Sequence, residues 1–270
     1  MSEPEVAPAR PNRTHVAGRS ASRRAPWVPR QHGAWAMLLL PLLVGVAASR
    51  PDPWQLVLAG AALTGYLGSA AGQAWARARR PPAYLVPMAV YGGAFAALGL
   101  GLTLAFPNLL LGLVVIVPAA VVVLGGARPG TPRDLANGFA QVAQALVLVP
   151  AAAYVSGDFE LARVVPATAV AGGYLVGTVL AVRSVLRERG NAGFAVLSIG
   201  FHVTLVAAAA LVLPAAYAVL AAGLALRSAA LPVLQRRQAG RPRPLRPIHV
   251  GIVEIVASVA VVAVTFLSPP

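Results

Sequence analysis

The chain has 270 residues, of which 58% are hydrophobic and 11% charged, and its mean hydropathy is +0.73. A soluble domain carries about 25% charged residues and a disordered chain is poor in apolar ones, so both classes are excluded and a polytopic membrane protein remains. With no cysteine there is no disulfide framework, thiolate metal site or cysteine nucleophile; every one of the 22 basic residues is Arg, against eight acids, for a net charge of +14.

Residues 1–33 are polar and rich in Pro and Arg, with Arg10, Arg13, Arg19, Arg23, Arg24 and Arg30. They read as a disordered basic cytoplasmic tail without the apolar run and cleavage site of a signal peptide. From Ala34 to the end the chain reads as one transmembrane helical domain, 34–270. Apolar stretches suited to spanning helices of roughly 20 residues cover about 34–49, 54–76, 83–103, 107–124, 135–155, 161–182, 192–212, 214–234 and 249–267. Period-two alternation is absent, so the fold class expected is all-α, a bundle of about nine membrane helices rather than a β-barrel. Prolines recur inside the stretches, as at Pro41, Pro87, Pro118, Pro150 and Pro166. Glycines such as Gly60, Gly65 and Gly68 provide small surfaces for close helix approach.

Arginine sets the expected orientation. The tail and the links after the second, fourth, sixth and eighth stretches hold nineteen arginines, whereas the opposite links hold only Arg50 and Arg163. By the positive-inside rule the N-terminus is cytoplasmic, and nine spans then put the C-terminus outside, in the inner or plasma membrane of a cell.

Ionisable groups at membrane depth are costly and must find partners, which singles out His32, His202, Arg227, His249 and Glu254. His249 and Glu254, five residues apart, nearly share a face and form either a structural contact near the interface or a proton-handling pair. Asn137, Gln141 and Gln144 lie on one face of the fifth helix, and Tyr66, Ser69 and Gln73 on one face of the second. Each stripe serves a polar pocket or a hydrogen-bonded helix seam. On the cytoplasmic side Arg77 and Arg80 close the second helix, and Arg183 and Arg187, at i,i+4, close the sixth. Such paired guanidinium forks suit a phosphate or carboxylate head group, while topology alone also places Arg there.

Nucleotide loops, HExxH, GxSxG and nucleophile–His–Asp orders are absent. The expectation is therefore no metal, no cofactor and no nucleic-acid partner. The lipid bilayer is the partner, with an anionic lipid or isoprenoid as ligand, because an anionic inner leaflet is the nearest target for a basic tail.

The run Arg30-Gln31-His32-Gly33-Ala34-Trp35-Ala36-Met37-Leu38, followed by Pro41 and Gly45, resembles the opening of the YwiC-like family of bacterial membrane proteins. The membrane region as a whole is similar to the UbiA superfamily of intramembrane prenyltransferases, in helix number, cytoplasmic N-terminus and the Pro/Gly-marked first helix. That resemblance implies a UbiA-like arrangement with a site opening to the cytoplasm between the links after helices two and six. In the superfamily those links carry Asp-rich motifs that hold Mg²⁺ on a prenyl diphosphate. Here the first runs from Gly72 to Arg80 without a carboxylate and the second has only Glu188. Arginines stand where the metal ligands would be, so the metal site is not carried over. A divergent prenyltransferase and a small transporter or scaffold without catalysis are the alternative functions.

Overall fold

The computed structural model describes residues 27–28, 32–78, 82–127, 134–238 and 247–270, with the side chains of residues 32–34, 238 and 247 left aside. Nearly all of the basic tail expected over 1–33 lies outside the described residues, as do Arg80 and the side chain of His32. The described chain is helical in every one of the nine expected stretches: α1 (His32–Ala47), α2 (Pro53–Arg77), α3 (Leu85–Ala105), α4 (Leu113–Gly125), α5 (Leu135–Leu146), α6 (Leu148–Val155), α7 (Leu161–Leu186), α8 (Ala192–Val212), α9 (Ala215–Gln238) and α10 (Pro247–Leu267). Short 3₁₀ segments, Pro82–Tyr84 and Pro107–Gly112, precede α3 and α4.

Ten helices arise from nine stretches because the fifth is broken between α5 and α6 at Val147. The cause is Pro150, which has no N–H for the Leu146 carbonyl and whose ring crowds that oxygen. Seven segments among the described residues are long and apolar enough to cross a membrane: 82–105, 107–125, 135–155 (α5 and α6 together), 161–186, 192–212, 215–237 and 248–267. α1 is apolar but short, and α2 is long but more polar. The protein is a multi-pass all-α membrane bundle.

Local chemistry fixes the helix starts. Asp52 accepts from the Trp54 N–H at 2.8 Å while Gln55 Oε1 accepts from the Asp52 N–H at 3.1 Å, a reciprocal cap with Pro53 at the first helical position. Asp134 caps α5 through the Asn137 N–H and Asn191 caps α8 through the Phe194 N–H.

α1 runs through the middle of the bundle, packed against α2, α5, α6, α7 and α10. Its Leu40 and Val44 join Val149, Ala171, Tyr174, Leu175 and Val261 in the main core. Gly45 allows the crossing with α6: a Cβ there would stand 2.6 Å from the Val149 carbonyl oxygen and 2.7 Å from Ala152 Cβ. Gln55 pins the same joint, donating to the Ala152 carbonyl at 3.1 Å. α3 and α4 are peripheral, α3 on α2 and α4 on α5, and both present mostly exposed Leu, Val and Phe. Such a surface suits lipid rather than water.

Candidate functional site

Four helices of the C-terminal half bring polar side chains to one level. Tyr174 lies near the middle of α7 with Thr178 one turn on. His202 is at the middle of α8, with Ser198 one turn before it. Arg227 is at the middle of α9, followed by Ser228, and Glu254 and Ser258 flank the middle of α10. Their host helices are each long and apolar enough to cross a membrane, and the groups lie away from the helix ends.

Arg227 Nη1 donates to Glu254 Oε2 at 2.6 Å, with the two side chains only 8% and 7% exposed. Thr178 donates to the same oxygen at 3.0 Å. The Tyr174 hydroxyl donates to the Glu254 carbonyl at 3.1 Å and lies 2.8 Å from Ser258 Oγ. The Tyr174 ring faces the Arg227 guanidinium at 6.0 Å. His202 Nδ1 is 2.7 Å from the Ser198 carbonyl, and its Nε2 is 3.5 Å from Arg227 Nη2. A carbonyl only accepts, so Nδ1 carries the proton and Nε2 faces the guanidinium as an acceptor. Ser198 and Ser228 join α8 to α9 through hydroxyls 2.9 Å apart. Gly177 lets α7 close on this imidazole, since a Cβ there would lie 2.9 Å from His202 Nε2.

Two polar atoms in this cluster have no hydrogen-bond partner although they are buried: Arg227 Nε and Glu254 Oε1. The pair therefore meets through one bond where a guanidinium and a carboxylate commonly make two, and one donor and one acceptor are left without partners.

Glu254 and His202 are thus gathered into one cluster by Arg227. His249, the neighbour expected for Glu254, is exposed in the first turn of α10 while Glu254 is buried. Five residues advance about 140° around a helix beyond a full turn, so the two side chains diverge.

The other candidates lie elsewhere. Asn137 donates to the Val123 carbonyl at 3.2 Å and accepts from Gln141, and Gln144 donates to the Ile116 carbonyl at 3.3 Å. These three amides run along the α4–α5 joint. On α2, Gln73 bonds Ser69 at 3.3 Å and accepts from Arg77 at 3.0 Å, and the Tyr66 ring meets Trp35 edge-on at 5.9 Å. Arg183, in the last turn of α7, is paired with Glu188 at 3.1 Å. Arg187 follows α7 as its C-cap. Among the described residues no group of three or more His, Asp or Glu is placed to hold a metal ion.

Tyr174, Thr178, Ser198, Ser228 and Ser258 were not among the sequence candidates. The signal was present: Tyr174/Thr178, Ser198/His202 and Glu254/Ser258 are each i,i+4 polar pairs in the interior of an apolar helix.

Comparison with known proteins gives two similarities. The YwiC-like protein family matches residues 28–154, the stretch from just before α1 to the end of α6. An uncharacterized protein YwiC of Bacillus subtilis (strain 168) is 29% identical over 187 residues, which cover 66% of this chain and 74% of that protein. No solved structure matches the chain.

Proposed function

We propose that this protein binds a small polar ligand in the depth of the membrane, at the cluster of α7, α8, α9 and α10, in the manner of a carrier. The observation that carries this reading is the Arg227–Glu254 pair, mid-helix and almost fully buried, with one donor and one acceptor unused. Ionisable residues inside membrane helices are expensive, and they mark ligand or ion paths far more often than they add stability. The break between α5 and α6 supports the same reading, since interrupted helices buried in the bundle are a feature of transporters. The test is a panel of small polar solutes read by thermal shift on the purified chain, alongside mass spectrometry of co-purified molecules. A solute that stabilises the wild type and not Arg227→Met is expected. Identical responses of both proteins would overturn the reading.

A second reading places an anionic lipid or isoprenoid phosphate at the cytoplasmic arginines Arg77, Arg80, Arg183 and Arg187. It is favoured by Arg77 and Arg183 lying in the last turns of α2 and α7, at the links where the arginines concentrate. A UbiA-like arrangement, with prenyl transfer as its enzymatic form, belongs to this reading, as does an N-in, C-out topology. Lys at positions 183 and 187 keeps the charge but not the planar fork, so a true clamp would lose about tenfold or more in affinity for a phosphate head group. Equal binding by the Arg183→Lys/Arg187→Lys protein would assign the arginines to orientation. Reporter fusions after Arg80 and after Asp158 test the topology, and they are expected on opposite sides.

A further inference from the structure

We infer that rings at its two ends seat the bundle in the two head-group layers of one phospholipid bilayer, so that α2 crosses the membrane and the α7–α10 cluster is entered from the arginine-rich end. The point of entry rests on the mid-membrane reading above; the seating does not. Hydropathy leaves α2 aside, because polar residues such as Gln55, Thr64, Ser69 and Gln73 dilute it. Packing brings it back. A Cβ at Gly60, Gly65, Gly68 and Gly72 would meet Leu98, Phe95, Tyr91 and Met88 in turn, so α2 lies antiparallel along most of α3. α3 is long and apolar enough to cross a membrane, and a helix packed along its length crosses with it.

The rings give the height. Trp54 meets Phe106 edge-on at 5.2 Å, Phe106 meets Tyr154 at 6.0 Å, and Tyr154 meets Phe159 at 6.3 Å. One ladder therefore joins the start of α2, the end of α3 and the α6–α7 link, at the end that holds Arg50 and Arg163, and Trp54 and Phe159 are partly exposed. At the other end stand Trp75 beside Arg77, Tyr84 as the N-cap of α3, and Phe194 with the Arg183 guanidinium 5.9 Å from its ring. Amphipathic rings with arginines that reach phosphate are what a head-group layer selects. Trp54 and Trp75 stand 21 residues apart on one helix, about 31 Å at about 1.5 Å per residue, against about 30 Å for a hydrocarbon core.

The same scale places the cluster. α7 starts at Leu161, directly after the ring level of Phe159. Tyr174 and Thr178 stand 13 and 17 residues further on, about 20 and 26 Å up the helix. The cluster they share with Arg227 and Glu254 thus lies in the third of the membrane nearest Arg77 and Arg183. A polar ligand reaches it most cheaply from that end, since the opposite route crosses most of the hydrocarbon core.

The test exploits a chain without cysteine. Pro51→Cys and Ala78→Cys, both at exposed positions flanking α2, are treated in the full chain with a membrane-impermeant maleimide, in right-side-out and in inverted membrane vesicles. They are expected to label in opposite vesicle types. Labelling of both in the same type would overturn the seating. Variants that keep only Trp54 or only Trp75, the other tryptophans being Phe, are expected to be quenched more by lipids brominated near the head group than by lipids brominated at the chain ends. The reverse order at either ring would also overturn it. For entry, the near-isosteric Thr178→Cys and Ser258→Cys are treated with a small impermeant methanethiosulfonate. Modification is expected only in the vesicles that label Ala78→Cys. Modification in both types, or only in those that label Pro51→Cys, would overturn the entry and leave the mid-membrane site standing. No modification of either cysteine in either type would overturn the entry and count against that site as well, the seating being decided by the first two measurements.

Discussion

The α4–α5 joint and the α7–α10 cluster both place polar side chains inside an apolar bundle, yet they handle them oppositely. Along α4–α5 the groups are neutral amides, and they end on backbone carbonyls or on each other. Asn137 meets the Val123 carbonyl, one of the helix-end oxygens that α4 leaves without an intrahelical donor. In α7–α10 the groups are charged, drawn from separate helices, and leave a donor and an acceptor over. A neutral seam of this kind is explained by helix association alone. A charged pair that leaves bonds unmade is poorly explained that way, because packed apolar residues would hold the same helices at lower cost.

The largest effect should come from breaking the charged pair on one side. Arg227→Met strands the Glu254 carboxylate at membrane depth and is expected to cost about 3–5 kcal/mol. Changing both partners, Arg227→Met with Glu254→Leu, is expected to return most of that stability while abolishing ligand response. Denaturant unfolding in detergent measures both. A double variant as unstable as the single one would show the pair to be a structural strut like the seam.

α1 touches both regions, and Gly45 is where it is tightest. Gly45→Val has no room beside the Val149 carbonyl and Ala152, and overpacking of this kind costs about 1–3 kcal/mol. Unfolding of this variant should show a lower midpoint with the ligand response of the α7–α10 cluster retained. Loss of that response at unchanged stability would tie the cluster to the α1–α6 crossing.

The neutral seam should be cheaper still. Asn137→Leu removes the bond to Val123 and the acceptor for Gln141. Interhelical bonds of this type are worth about 0.6 kcal/mol on average and at most about 1.7 kcal/mol in membrane proteins. A loss as large as that of Arg227→Met would erase the contrast between the regions.

These two regions were legible to different degrees. The amide stripe could be read from spacing because its three members share one helix, where periodicity alone fixes the face. Helix number and placement were readable for the same reason, since length and apolarity are local properties. Arg227 and Glu254 each stood out as costly, but their pairing depends on which helices are neighbours, and one sequence does not contain that order. The choice of His249 as partner followed chain proximity and failed on helical angle. The break at Val147 was also missed: Pro150 was visible, but a proline inside a membrane helix either kinks or interrupts it, and sequence alone does not distinguish the two.

An ion pair in a third region, the α6–α7 link, extends the comparison and should show the smallest effect. Asp158, in the α6–α7 link, accepts from Arg163 Nη2 at 2.7 Å and lies 3.9 Å from Arg50 of the α1–α2 link. The hydrogen bond from Arg163 chiefly holds the Asp158 carboxyl below the usual aspartate range, helped by the charges of Arg163 and Arg50 and opposed by desolvation. A carboxyl depressed on folding stabilises the native state above its unfolded pKa and loses that contribution as pH falls through the folded value. The window therefore opens below about pH 4, where the unfolded aspartate begins to protonate. Exposure and salt screening keep the contribution small. Thermal unfolding of wild type and Asp158→Asn should differ slightly near neutral pH and converge towards about pH 3. It should also differ less in high salt, whereas the Arg227→Met effect should be insensitive to salt because that pair is buried. If salt moved both equally, the pair in α7–α10 would be open to water rather than buried between its helices.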